Sequence, residues 1–382
     1  MTTAEATATA PVKTDWLAKA KALSDDFATR AAQHDADDSF VAENYAALKR
    51  EKFFSAPVPA ELGGGGATYA EHAAMIRTIA RGCGSTGLAY SMHSHPLQAQ
   101  IYRHRRNATP PAEPLLRRVA KEELVLVTSG GSDWLESSGT LTKSDGTYSF
   151  NARKIFGSGS PSADLFLTTG VYDDPEKGPT VLHFGVNMHD PGVKVQDNWR
   201  VMGMRGTGSN DIVIENVTVQ DAAVSVRRPK GKWHGVFDVI VPIIFPLVGA
   251  AYLGVAETAR DIAFARAQKK KDDPIVRALL GEMDTELQTA QDIWMTMTVI
   301  AQNGHTPSLA LTDATFKRKT VMARSLIRAT YLAMELVGGG SFFRSEQLER
   351  CFRDIQALRF HPYHERRQYE LSARIALGMD PA

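Results

Sequence analysis

Two histidines and one serine of the chain carry side chains that can bind or move a proton, and each lies in a distinctive local segment. His361 lies eight residues after Arg353 of the pair Arg353-Asp354, His93 lies in GSTGLAYSMHSH, and Ser158 lies in FGSG. A neutral imidazole has an ordinary pKa of roughly 6.5, so near pH 7 it can either donate or accept a proton. From the residues alone, a turn position is the more economical interpretation of the serine.

The histidines do not predict a metal site. His93 and His95 are two residues apart and would not share one face of a helix. Pro362, between His361 and His364, argues against a regular helix there. No third ligand has a suitable spacing, so we predict no bound metal. The P-loop and GxSxG patterns are absent, and GSGSPS lacks the third glycine of a dinucleotide fingerprint, so no nicotinamide site is indicated.

Length and charge limit the possible functions. A chain of 382 residues can form two or three structural units. Its 44 basic and 43 acidic residues nearly balance, which gives no electrostatic case for binding nucleic acid or an anionic membrane. The run Lys269–Lys271 is a local exception, and a solvated helix end and a phosphate contact remain open for it. Two cysteines without zinc spacing exclude a disulfide framework and suit the cytoplasm, where we expect the protein.

Two further segments bear on location. Residues 1–16 are rich in alanine and threonine and lack an apolar core, so they do not predict a signal peptide. Residues 240–256 form the most apolar stretch, but it is shorter than the roughly 20 residues that a membrane helix needs, and it contains two prolines. We therefore predict that this stretch is a buried helix and that the protein does not bind a membrane.

The order of predicted elements indicates an α+β protein. Apolar residues recur at helical spacing over 14–118, short alternating β-branched segments follow over 124–225, and long helical patterns return after Lys232. Asp313 is the predicted N-cap of the third helix in this last part. Strands that are segregated from helices, rather than alternating with them, are typical of the α+β class. We predict three domains, at residues 1–118, 119–228 and 229–382.

Five segments resemble landmarks of the acyl-CoA dehydrogenase superfamily, in the same order and at suitable spacing. They are PAELGGGGATYAEHA, VTSGGSD, ARKIFGSGSPSAD, MGMRGTGSNDIVIENVTV and GGGSFFRSEQLERCFRD. The resemblance covers nearly the whole chain. It implies an N-terminal helical domain, a central antiparallel β-barrel-like domain and a C-terminal four-helix bundle. It also implies a homotetramer with a flavin near a subunit interface.

The resemblance implies a flavin site built from small loops and one aromatic residue. Phe156 matches a tryptophan that packs on the flavin ring, and Ser158 matches a threonine whose hydroxyl meets the flavin N5. Thr128, Gly131 and Ser132 would offer backbone N–H groups and a hydroxyl to the ring edges. At the phosphate, Gly340 replaces an arginine of related monooxygenases, and the lysine run is the available substitute. The predicted cofactor-binding residues are Thr128, Gly131, Ser132, Phe156, Ser158, Lys270, Gly339 and Gly340.

One departure from the family pattern redirects the expected reaction. Acyl-CoA dehydrogenases carry a catalytic glutamate eight residues after the Arg-Asp pair, where this chain has Pro362, which cannot act as a base. The alternative base position on the long helix is Ile244, which is not a carboxylate either. His361, His93 and Ser158 instead match the pattern of the flavin-dependent monooxygenase branch of the superfamily, and they are the predicted catalytic residues.

The function implied by this branch is a two-component monooxygenase. Reduced FMN, with reduced FAD as the alternative, would come from a separate flavin reductase. It would react with O2 to give a C4a-hydroperoxyflavin, which oxidises a small aromatic or heteroatom-containing substrate. Two alternatives stay open. One is an acyl-CoA dehydrogenase with FAD and a relocated base, and the other is a non-catalytic member of the superfamily that only binds a partner or acyl-CoA.

Overall fold

The computed structural model describes residues 14–109 and 111–382. The N-terminal segment 1–13, which makes up most of the stretch used to argue against a signal peptide, lies outside the described residues. The described chain begins with six helices: α1 Trp16–Ala28, α2 Ala31–Asp37, α3 Ala42–Arg50, α4 Tyr69–Gly82, α5 Gly84–His104 and α6 Glu113–Glu122. Helix α4 has a complete capping box, in which Thr68 and Glu71 satisfy each other's backbone N–H groups.

Eight strands follow in the described residues and form one twisted sheet. Their bounds are β1 Leu126–Thr128, β2 Thr140–Ser144, β3 Thr147–Gly157, β4 Leu165–Asp174, β5 Gly178–Asn187, β6 Val193–Val195, β7 Asn210–Gln220 and β8 Val226–Pro229. The strand order is β6-β7-β3-β2-β4-β5-β8, with β1 beside β4. The predicted barrel-like closure is wrong, because the order runs from edge to edge and the sheet stays open. Most neighbours are antiparallel as predicted, but β1 and β2 both pair with β4 in parallel.

Five helices complete the chain: α7 Gly235–Gln268, α8 Pro274–Gln302, α9 Leu309–Val337, α10 Gln347–Ile355 and α11 Glu365–Ala376. Helices α7, α8 and α9 pack on one another, and α10 packs across α7 and α9, which gives the predicted helical bundle. The N-cap of α9 is Ser308 rather than the predicted Asp313, since the Ser308 hydroxyl accepts the Leu311 N–H. Asp313 instead lies inside the helix, where it pairs with Lys317.

The domain boundaries remain predictions that the helix bounds help to refine. The boundary predicted between residues 118 and 119 falls inside α6, which ends at Glu122. The boundary predicted between 228 and 229 falls at the end of β8. We therefore propose that the first boundary lies after Glu122, because a boundary between domains belongs in a connecting loop rather than within a helix.

Helix α7 contains the apolar stretch 240–256 and runs through the centre of the helical part. In the described residues it is the one helix long and apolar enough to cross a membrane, but 83% of its most apolar window is buried inside the protein. Its core face includes Tyr252, and it contacts α4 and α5 as well as α8 and α9. The predicted buried helix is confirmed, and α7 is the element against which both helical parts pack.

Candidate active site

Three distant parts of the chain meet beside α5. They are the loop that follows β1, the segment after α10, and the middle of α5. A β-carbon added to Gly131 in the β1 loop would come within 2.4 Å of the Pro362 side chain. Only a residue without a side chain therefore fits at this contact. The glycine predicted to face a cofactor thus also holds the β1 loop against the segment that carries His361.

His361 is fixed at this junction from two sides. Its Nε2 atom lies 2.7 Å from the hydroxyl of Tyr252, which is fully buried on α7. The Lys319 ammonium donates to the carbonyl groups of His361 (2.8 Å) and Tyr363 (2.9 Å). Burial, and then the charge of Lys319, lowers the pKa of His361 to about 3. The imidazole is therefore neutral at pH 7 and held in one orientation.

His95 is the second histidine at the junction, and sequence reasoning missed it. Its Nε2 atom lies 3.3 Å from the hydroxyl oxygen of Thr128, the last residue of β1. Burial lowers the pKa of His95 to about 3, with smaller contributions from His361 and His93. Because the ring is neutral and half-buried, it can donate or accept one hydrogen bond in the space between α5 and the β1 loop.

His93, the predicted catalytic histidine, has a structural position. Its Nδ1 accepts the N–H of Leu126 (2.9 Å), so the ring proton is on Nε2, which donates to the Phe54 carbonyl (2.9 Å). The side chain is 1% exposed. Both ring nitrogens are occupied by backbone groups, so this histidine has no atom left for a substrate or cofactor. The geometry therefore favours His95 over His93 for the predicted role.

Ser158 lies at the end of a short chain of hydroxyl groups. The Ser209 hydroxyl donates to the Ser158 oxygen at 2.8 Å, and Thr207 lies 2.7 Å from Ser209. Because the Ser158 oxygen accepts this bond, its own O–H remains available for another acceptor. Ser158 is half-buried, so its O–H is not fully enclosed by the protein.

Phe156 is an exposed platform rather than a core residue. Phe156 and Ile155 are 47% and 53% exposed, and the Phe156 ring meets Trp199 edge to face at 5.8 Å. A β-carbon on Gly130 would lie 3.3 Å from the Phe156 ring, so the β1 loop passes close to it. Within the described residues, nothing accepts the N–H groups of Gly130 and Gly131. Ser132 follows in the short helical turn Gly131–Asp133. An apolar platform beside free N–H donors fits a flat heteroaromatic ring such as a flavin.

Two fully buried cations hold the loop that follows β1. Lys154 donates to Asp133 (2.5 Å) and to the Ser138 and Thr169 carbonyl groups. Arg228 is 1% exposed and donates to the carbonyl groups of residues 133–135, and burial lowers its pKa to about 10. The carboxylate of Asp133 is thereby neutralised, and the loop has little freedom to move.

A cavity of about 710 Å³ opens from this junction and extends between α5, the sheet and the start of α7. Its lining is largely apolar and aromatic, and this size suits a small organic molecule. The lining residues used below are His95, Ala99, Arg103, Arg106, Asp133 and Trp134.

The remaining predicted cofactor residues form a second group. Gly339 and Gly340 lie in the exposed turn Gly338–Phe342 after α9, and Lys270 lies just after α7. A β-carbon on Gly340 would lie 3.6 Å from the guanidinium of Arg266, a cation that sequence reasoning did not single out. In the described residues Arg266 has no carboxylate partner. The predicted cofactor residues thus separate, within one chain, into the junction and this exposed basic cluster of residues 266–271 and 338–340.

Comparison with known proteins identifies the family. Models of the N-terminal, middle and C-terminal domains of acyl-CoA dehydrogenase match residues 17–108, 128–217 and 243–366. These ranges cover most of the chain in the predicted order. The chain therefore belongs to the acyl-CoA dehydrogenase family.

Individual relatives include both dehydrogenases and monooxygenases. The putative acyl-CoA dehydrogenase YdbM of Bacillus subtilis (strain 168) is 26% identical over 90% of this chain and 91% of the relative. The dibenzothiophene monooxygenase of Mycolicibacterium goodii is 25% identical over 94% of this chain and 92% of the relative. KijD3, solved in complex with FMN and dTDP-3-amino-2,3,6-trideoxy-4-keto-3-methyl-D-glucose, is 25% identical with a TM-score of 0.84, over 97% of this chain and 95% of that one. The predicted resemblance to flavin monooxygenases of this fold is confirmed.

Proposed function

We propose that this protein is a flavin-dependent monooxygenase that uses reduced FMN and O2 to oxidise a small aromatic or heteroatom-containing substrate. The observation that carries the proposal is the junction itself. Where a dehydrogenase would have a carboxylate base, Pro362 packs on Gly131, and the neutral imidazoles of His361 and His95 are fixed beside the β1 loop. Neutral imidazoles suit the management of a proton near an oxygen atom.

The cofactor would supply the oxygen-activating chemistry when it is bound in its reduced form. Phe156 and Ile155 would pack on one face of its ring, and the N–H groups of Gly130 and Gly131 would meet the ring edge. Thr128, Ser132 and the free O–H of Ser158 would add polar contacts. The basic cluster with Lys270, Gly339 and Gly340 would receive the phosphate, from the same chain or from a neighbouring subunit of a homotetramer.

The contact between Tyr252 and His361 assigns the proton on the imidazole ring. Within the described residues the Tyr252 hydroxyl has one partner, His361 Nε2. If Nε2 donated, the phenolic O–H would be buried without an acceptor, which is costly. The hydroxyl therefore donates, Nε2 accepts, and the proton of His361 is on Nδ1. Nδ1 has no partner in the described part of the chain and, unlike the orphaned Nδ1 of His305, is open to a ligand.

These assignments define the work of the protein's own groups. His361 would offer its Nδ1–H to the reacting oxygen, and the neutral ring of His95 would accept a hydrogen bond from the substrate group that loses its proton. The apolar cavity would exclude water and suppress the release of hydrogen peroxide. A separate cytoplasmic reductase would deliver the flavin, since the sequence has no nicotinamide fingerprint.

The experiment is stopped-flow mixing of the protein and anaerobically reduced FMN with oxygenated buffer. We expect a near-ultraviolet absorbance that differs from both reduced and oxidised FMN and that persists well beyond the reoxidation of free FMN. Reoxidation indistinguishable from that of free FMN would overturn the proposal.

The dehydrogenase alternative is favoured by the family match and by the likeness to YdbM. It requires tightly bound FAD that an acyl-CoA bleaches in the absence of oxygen. A protein purified without yellow colour, and inert to an acyl-CoA series with an artificial electron acceptor, would exclude this alternative.

A further inference from the structure

Helix α5 and the turn that follows it connect the junction to a basic end of the cavity. His95, Ala99, Arg103 and Arg106 all line the 710 Å³ cavity and recur at helical spacing. At about 1.5 Å of rise per residue, the eight-residue step from His95 to Arg103 corresponds to roughly 12 Å, and Arg106 lies three residues further along the chain, in the turn after α5. The cavity therefore has a histidine end, where the reaction is proposed, and an arginine end more than a nanometre away.

Arg106 is fixed in place although it lies at the surface. Its Nη2 donates to the carbonyl groups of Gly304 (2.8 Å) and His305 (3.1 Å), and its guanidinium stacks on the Tyr102 ring at 3.7 Å. Within the described residues its Nε and Nη1 groups have no acceptor and it has no carboxylate partner. Such a guanidinium loses little freedom when it binds an anion, because its position is already determined.

The charges around the cavity favour an anion as well. Asp133 is the one carboxylate among the described lining residues, and Lys154 neutralises it at 2.5 Å. Arg103, Arg106 and Arg228 are cationic. Burial lowers the pKa of Arg103, so this guanidinium is partly desolvated, and its Nη1 donates to the Gln100 side-chain oxygen at 3.3 Å.

We infer that the substrate is an elongated, partly aromatic anion, with a carboxylate, sulfonate or phosphate group held by Arg106 and Arg103. The apolar walls, including Trp134, would hold its body, and the atom to be oxidised would lie at His95 and His361. The inference rests on the proposed function for the assignment of the reacting end. The anion subsite itself rests on the geometry of α5 and on the charges of the lining.

The subsite can be tested with two fluorescent probes that differ by one sulfonate. The probes are 8-anilinonaphthalene-1-sulfonate and its neutral counterpart N-phenyl-1-naphthylamine, titrated into the intact protein without flavin. A charged hydrogen bond is worth about 1.5–3 kcal/mol. We therefore expect Arg106→Gln to lower the affinity for the sulfonate probe about 10- to 100-fold and the affinity for the neutral probe less than twofold. Arg103→Gln should act in the same direction.

Two further variants locate the probe. Arg105→Gln removes the neighbouring cation, which does not line this cavity, and should change neither affinity. Ala99→Phe narrows the cavity and should lower the affinity for both probes. Equal loss in Arg105→Gln and Arg106→Gln, or unchanged sulfonate binding in Ala99→Phe or Arg106→Gln, would overturn the inference. Neither flavin nor oxygen takes part, so this failure is distinct from a failure of the proposed monooxygenase reaction.

Discussion

The junction and the exposed basic cluster differ in how they are built. At the junction, His361 is fixed by Tyr252 and Lys319, and the β1 loop is fixed by Pro362, all through partly buried contacts within one chain. In the basic cluster, Arg266 and the lysines are exposed, and Arg266 lies beside the open glycine turn. Chemistry requires groups that are already oriented, whereas a phosphate can be bound by mobile cations. The difference predicts which variants change the reaction and which change cofactor affinity.

The largest effect is expected from the two histidines of the junction. His361→Ala and His95→Ala should lower turnover about 100- to 10,000-fold, the usual contribution of a general acid or base, with FMN affinity changed less than twofold. Product formation and FMN titration measure these effects.

His93→Ala is the matched control for the histidine variants. It should unfold at a lower denaturant concentration, because the Leu126 N–H and the Phe54 carbonyl lose their partner. The free energy of unfolding should fall by about 1–3 kcal/mol. A His95→Ala protein with full activity, or a His93→Ala protein with full stability and no activity, would reverse our assignment of the two residues.

The next effect concerns the contact that closes the junction. Gly131→Ala puts a methyl group within 2.4 Å of Pro362 and should destabilise the protein by about 1–3 kcal/mol. Gly281→Ala is the control, because its β-carbon would meet open space on α8, and it should stabilise by about 0.4–1 kcal/mol. Denaturant unfolding measures both changes. Equal stability of the two variants would show that the β1 loop and residue 362 move apart freely.

The sequence predicted the order of helices and strands because that order depends on local spacing and turn residues. The open sheet depends on pairing between β2 and β4, which local alternation does not encode. The sequence also does not predict which of His93 and His95 faces the candidate active site. Two residues on a helix point about 200° apart, so the packing of α5 on β1 decides which one is free. Tyr252 was visible as part of a buried helix, but its partner lies 109 residues away.

A smaller effect is expected in the basic cluster. Arg266→Gln should weaken FMN binding about 10-fold, because it removes one charged contact. Neither the stability of the protein nor its turnover at saturating FMN should change. Riboflavin, which lacks the phosphate, is the control ligand, and its affinity should not change. The affinity difference between FMN and riboflavin should also shrink at high salt, because exposed charges are screened. Equal loss for FMN and riboflavin would place Arg266 at the ring instead.

The smallest effect tests the orientation of the His361 proton. Tyr252→Phe removes one neutral hydrogen bond, worth about 1 kcal/mol, so turnover should fall about fivefold while FMN affinity stays constant. With 15N-labelled histidine, NMR should show His361 protonated on Nδ1 in the unmodified protein and a mixture of tautomers in the variant. Because burial keeps the pKa of His361 at about 3, this signature should persist down to pH 5. A ring protonated on Nε2 in the unmodified protein would mean that the imidazole donates to Tyr252, and then Nδ1 would act as an acceptor toward the cleft.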